Sequence, residues 1–110
     1  MSAASLDRTL TALADPYRRQ VVDLLSERPR RAGELAEATQ LAFPTMSRHL
    51  RALRESGLVE QDAHEHDSRV RIYRLRHEPM NELKVWLEQT EKLWMRQLTA
   101  LKAHLQKTRR

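Results

Sequence analysis

Two sets of arginines are the residues in this chain best suited to chemistry, and that chemistry is grip on an anion. In 43–56, Met46, Leu50 and Leu53 recur at i, i+4 and i+7, the spacing of one buried helical face. The opposite face carries Pro44, Thr45, Ser47, Arg48, Arg51 and Ala52, with no acid before Glu55. A guanidinium is a planar, multi-donor fork that fits phosphate oxygens and guanine edges, and short hydroxyls add donors beside it. The second set, Arg69, Arg71, Arg74 and Arg76, lies in an extended run that also lacks acids. Alternating arginines on a strand make a basic edge, which phosphate contacts can use to set register without reading sequence. An ordinary solvated strand is the alternative.

Composition points the same way. The chain has 110 residues, 20 Lys+Arg against 15 Asp+Glu, and a formal net charge of +5. Sixteen of the basic residues are Arg and four are Lys, a bias toward an anionic partner that a GC-rich genome would also produce.

Other chemistries find little support. There are no cysteines, so disulfides, thiolate metal sites and thiol redox chemistry are excluded. The stretch His64, His66, Asp67 could hold a divalent ion weakly or respond to pH, but a hairpin tip is a poor scaffold for convergent ligands, and a solvated loop is the simpler reading. His104 stands alone, His77 reads as a linker residue, and His49 as a DNA-face or structural residue. No Gly-rich loop, carboxylate pair or nucleophile constellation supports an enzyme, so no catalytic residue, metal or cofactor is expected. No apolar run approaches the ~18–20 residues of a membrane span. The start, MSAASLDRTL, lacks a signal-peptide pattern, which makes the cytoplasm the expected setting.

The elements that must hold these arginines are legible from periodicity. Residues 5–14 read as a first helix with Leu6, Leu10 and Leu13 on one face. Asp15-Pro16 is a cap and first turn for a second helix through Val21, Val22, Leu24 and Leu25 to about Ser26. ERPRR reads as a basic connector. A short helix at 32–38 and a turn at 39–42 lead into the helix at 43–56, which Gly57 ends. Two strand-like runs, 58–63 and 69–75, flank the polar HEHDS and read as a hairpin with a charged tip. Pro79 opens a last helix to about Lys107, roughly 40 Å long at 1.5 Å per residue. It carries Leu83, Trp86, Leu87, Leu93, Trp94, Leu98, Leu101 and Leu105, a stripe wider than one small domain can cover. A partner subunit is the simplest cover. For Trp86 and Trp94 the alternative is an effector pocket.

The expected fold is therefore mainly α with a small β-hairpin, in one domain over 1–110. A helix-turn-helix occupies about 32–56, a wing about 58–76, and a C-terminal dimerisation helix about 79–107.

The segments LADPYRRQVVDLL, GELAEATQL, PTMSRHLRALRESGLV and RVRIYRL, in this order, resemble the ArsR/SmtB family of winged-helix transcriptional repressors. The resemblance runs from about Leu6 to Leu105. It implies a homodimer that binds double-stranded DNA at an imperfect inverted repeat in a promoter. It also implies an interface built by the first and last helices, which places Leu6 and Leu10 beside Trp86, Leu93, Trp94, Leu98, Leu101 and Leu105. It implies that Thr45, Ser47, Arg48 and His49 occupy base- and phosphate-contacting positions, and that the wing arginines, Arg69 and Arg71 among them, contact phosphates. Two positions depart from the pattern. Ala42 stands where a capping Ser is usual, and Phe43 where a polar residue is usual. Phe43 either touches a thymine methyl or packs on the third helix.

The family's metal sensors need ligands this chain lacks. The helix matching their cysteine pair reads GELAEA, and the last helix offers only His104 where paired ligands are expected. The chain thus resembles the metal-ligand-free members, with the effector unassigned. Alternatives to a repressor are a metal- or pH-responsive regulator using the wing histidines, a winged-helix protein-interaction module, and a small nuclease built on His64, His66 and Asp67.

Overall fold

The chain runs α1 (Ala3–Ala12), α2 (Pro16–Glu27), β1 (Arg30–Arg31), α3 (Ala32–Thr39), α4 (Phe43–Glu55), β2 (Val59–His64), β3 (Asp67–Leu75) and α5 (His77–Thr108). The computed structural model describes the backbone of residues 3–64 and 67–108, and the side chains of 4–62 and 70–108.

Local chemistry sets most helix ends. The Asp15 carboxylate accepts from the Tyr17 and Arg18 amides at 2.8 and 3.2 Å, which satisfies orphan donors of α2, and Pro16 needs no partner in the first turn. α4 ends in a Schellman motif. The Leu58 amide donates to the Leu53 carbonyl at 3.0 Å and the Gly57 amide to Arg54 at 3.0 Å, while Gly57 takes φ +81. α3 ends the same way, with the non-glycine Gln40 at φ 59.

The core lies where α2, α3 and α4 meet the sheet. Val21, Val22 and Leu25 pack with Leu35, Met46, Leu50, Leu53 and Leu58, and Tyr73 closes it from β3. Met46 and Leu53 are wholly buried and Leu50 nearly so, so the i, i+4, i+7 face is the face that α4 turns inward. That orientation leaves the arginine-bearing face of α4 to solvent.

Four expectations about element bounds are corrected. The ERPRR connector contains a strand: Arg30 and Arg31 pair antiparallel with Tyr73 and Ile72, so the wing is a three-stranded sheet of order β1-β3-β2. The hairpin reaches further toward its tip than expected, because His64 and Asp67 still pair after a register shift beyond Ala63. Pro79 is the third residue of α5 and buried, rather than its opener; a proline costs little there because first-turn amides have no intrahelical partner. The first helix also begins and ends two residues earlier than read.

α5 has 32 residues, about 48 Å of helix at 1.5 Å per residue. It packs on α1, but every residue from Glu91 to Thr108 is exposed. Among the described residues, no helix is long and apolar enough to cross a membrane.

Candidate nucleic-acid interface

α4 starts without a capping side chain. Ala42 takes the N-cap position and makes no side-chain bond, as the missing serine implied, and Pro44 sits in the first turn. Outward from the buried Met46, Leu50 and Leu53 stand Ser47, Arg48 and Arg51, all exposed, with Thr45 half-buried at the flank. Arg51 is committed to Glu55 at 3.2 Å. Arg48 makes no ion pair among the described residues, so its fork is available to an acceptor from outside.

His49 sits differently from its neighbours. It is half-buried and turned to α2, where the Arg18 Nε donates to its Nδ1 at 3.3 Å and the Tyr17 ring lies 6.1 Å away, tilted by 31°. Burial pushes the nearby Asp15 carboxyl up. The Arg18 and Tyr17 amides, with the charges of His49 and Arg18, outweigh that and hold it below its ordinary value. This cluster ties α4 to the N-terminus of α2. The partner of His49 lies 31 residues away in sequence, so no local pattern could have shown it.

Phe43 is 57% exposed and is not a packed core residue. It lines a shallow groove of about 250 Å³ between α3, α4 and the wing, together with Ser47, Arg71 and Arg31. Three residues expected at the DNA face thus come together, along with Arg31 from the ERPRR connector.

The wing arginines do not form one edge. Odd and even positions of a strand point to opposite faces, so Arg71 and Arg74 are separated by the sheet. Arg74 is held by Glu60 at 3.2 Å and Asp62 at 2.6 Å, both on β2, and Arg76 reaches Glu78 at 3.8 Å. The continuous basic edge is therefore corrected to the Arg71 side of β3. Arg71 is exposed. The side chains of Arg69, His64 and Asp67, and all of His66, lie outside the described residues. Among the described residues, no group of three His, Cys, Asp or Glu could hold a metal ion.

The residues expected at a subunit interface lie on α1 and α5. Leu6 is half-buried and Leu10 is 39% exposed. On α5 exposure rises from 37% at Trp86 to 61% at Trp94, and Leu93, Leu98, Leu101 and Leu105 are all more than half exposed. Among the described residues, nothing covers the part of this stripe from Leu93 to Leu105.

Residues 15–61 match the bacterial regulatory protein, arsR family. The arsenical resistance operon repressor of Staphylococcus xylosus is 35% identical over 80 residues, which cover 71% of this chain and 72% of that protein. The HTH-type transcriptional regulator Rv2034 of Mycobacterium tuberculosis is 42% identical over 55 residues, and the match spans about half of each protein (50% and 51%). Among solved structures, the ArsR family transcriptional regulator RHA00566 superposes with a TM-score of 0.75 at 32% identity, covering 86% of this chain and 95% of that one. The homodimeric winged helix-turn-helix DNA-binding domain Mb0332 of Mycobacterium bovis gives 0.65 at 28% identity, covering 84% and 82%. These relatives are transcriptional regulators and not enzymes.

Proposed function

Because the chain belongs to the ArsR family of bacterial regulatory proteins, we propose that it is a cytoplasmic homodimeric repressor that binds double-stranded DNA at an inverted-repeat operator. The observation that carries this reading is α4 itself. Its apolar face is locked into the core, and its opposite face offers Ser47 and an uncommitted Arg48 with no acid before Glu55.

In this reading α4 enters the major groove, where Arg48 forks onto a base edge and Thr45 and Ser47 donate to bases or phosphates. Arg51 joins them when DNA phosphates outcompete Glu55, an exposed i, i+4 pair worth little in water. Phe43, exposed at the head of α4, meets a thymine methyl. Arg71, with Arg69, grips the phosphate backbone and sets register. His49, bonded to Arg18, holds the pitch of α4 against α2 as well as bordering the DNA face. α1 and α5 pair two protomers through Leu6, Leu10, Trp86, Leu93, Trp94, Leu98, Leu101 and Leu105. The two reading helices then address half-sites about one helical turn, ~34 Å, apart.

The test is selection of a bound sequence from random duplexes, followed by fluorescence anisotropy on the selected site. The expected motif is a near-palindrome. Arg48→Ala should cost about 1–3 kcal/mol on that site and much less on random duplex. Recovery of no enriched sequence, or an affinity that hardly changes with salt, would overturn the reading in favour of a protein-interaction module.

A further inference from the structure

We propose that Arg31 is a third DNA-contact point, a phosphate grip lying outside both the reading helix and the wing hairpin. This rests on the DNA-binding reading above and extends it to a residue that neither motif contains.

Three arginines crowd the connector between α2 and α3, and their states differ. Arg28 is taken by Glu34 at 3.0 Å, and that hydrogen bond is the main cause holding the Glu34 carboxyl below its usual range. Arg30 is taken by Glu27 at 2.6 Å and also donates to the Leu24 carbonyl at 3.1 Å. Arg31 is exposed, and its guanidinium engages no partner among the described residues. The acids around it are engaged: Glu34, to which the Arg31 backbone amide also donates, pairs with Arg28, and Asp62, across the sheet beyond Ile72, is held by Arg74 at 2.6 Å. Among the described residues, two of these three adjacent cations are neutralised and one is unmatched.

The unmatched one is also the one beside the proposed DNA face. Arg31 lines the same groove as Phe43, Ser47 and Arg71, and no acid lines it with them. Backbone pairing to Ile72 fixes Arg31 on the edge strand, one position in register from Arg71; its side chain starts on the Ile72 face, and it borders the groove from the edge of the sheet. The wall is open as well: nothing lies within 4 Å of where a Cβ would stand at Gly33. A sugar-phosphate strand running between the wing and the head of α4 would meet Arg31 in a groove that no described carboxylate lines.

The experiment measures affinity against salt for the wild type, Arg31→Gln, Arg31→Lys and Arg28→Gln, on the selected operator and on random duplex. Each phosphate neutralised contributes about 0.9 to the slope of log K against log salt, so losing one contact per protomer lowers a dimer's slope by about 1.8. Arg31→Gln should show that loss on both duplexes. Arg31→Lys should keep the wild-type slope, because a phosphate accepts a point charge, and Arg28→Gln should keep it too. Thermal melting confirms that each variant folds. A wild-type slope in folded Arg31→Gln overturns the inference, and so does a loss confined to the operator, which would make Arg31 a base reader. A wild type with no salt-dependent binding overturns the DNA-binding reading itself, a result distinct from either.

Discussion

Replacing Trp94 by Ala is the sharpest test of how α5 is used. Trp94 is 61% exposed in the protomer. An indole can bury up to about 250 Å², so the exposed share is about 150 Å², worth about 4 kcal/mol at ~25 cal/mol per Å². Truncation to Ala leaves the backbone and Cβ, so about 3 kcal/mol of that is forfeited. A two-fold interface uses the residue twice, for about 6 kcal/mol per dimer. At 1.4 kcal/mol per decade, the dimer Kd should rise by about four orders of magnitude. Sedimentation velocity from nanomolar to high micromolar concentration reads this directly, and circular dichroism should show the helical content retained. If folded Trp94→Ala dissociates at the same concentration as the wild type, the stripe is not the subunit interface. A wild type that stays monomeric throughout refutes the reasoning as well.

Other outcomes follow from single groups. Gln40→Gly should stabilise the fold by about 0.5–1 kcal/mol in denaturant unfolding, because φ 59 strains any residue with a Cβ. Asp15→Ala should cost about 1 kcal/mol at neutral pH by removing the α2 cap. The Asp15 carboxyl is lowered in the folded state, so its contribution is complete above the ordinary value of 3.8 and disappears as pH falls through the folded one. Asp15→Asn, which still caps, should flatten that part of a melting-temperature profile. Arg74→Gln should leave the salt slope of DNA binding unchanged, since Glu60 and Asp62 already hold that guanidinium.

Much of the fold and part of the site were legible beforehand. The burial of Met46, Leu50 and Leu53 was written in their spacing, and with it the outward placement of Ser47, Arg48 and Arg51. The Asp15 cap and the Gly57 stop were equally local. The β1 strand was not legible, because two residues have no periodicity; Arg30 and Arg31 are a strand only because β3 offers them an edge. The mixed fate of the wing arginines was hidden for a related reason. Arg71 and Arg74 look alike in a run of basic residues, but parity puts them on opposite faces, and Arg74 is the one held by Glu60 and Asp62 of β2.

What this sequence determines alone is what neighbours along the chain can settle. Helix faces follow from contacts three and four residues apart, caps from one side chain and two amides, and the absence of thiol chemistry from a count of zero cysteines. Only the tertiary structure decides which cations stay free. That depends on which carboxylates distant segments bring within reach: Glu60 and Asp62 for Arg74, His49 as acceptor for Arg18, and no described partner for Arg31 or Arg48. Charge is a property of residue type, but its availability to a partner depends on pairing, and pairing is set by the fold.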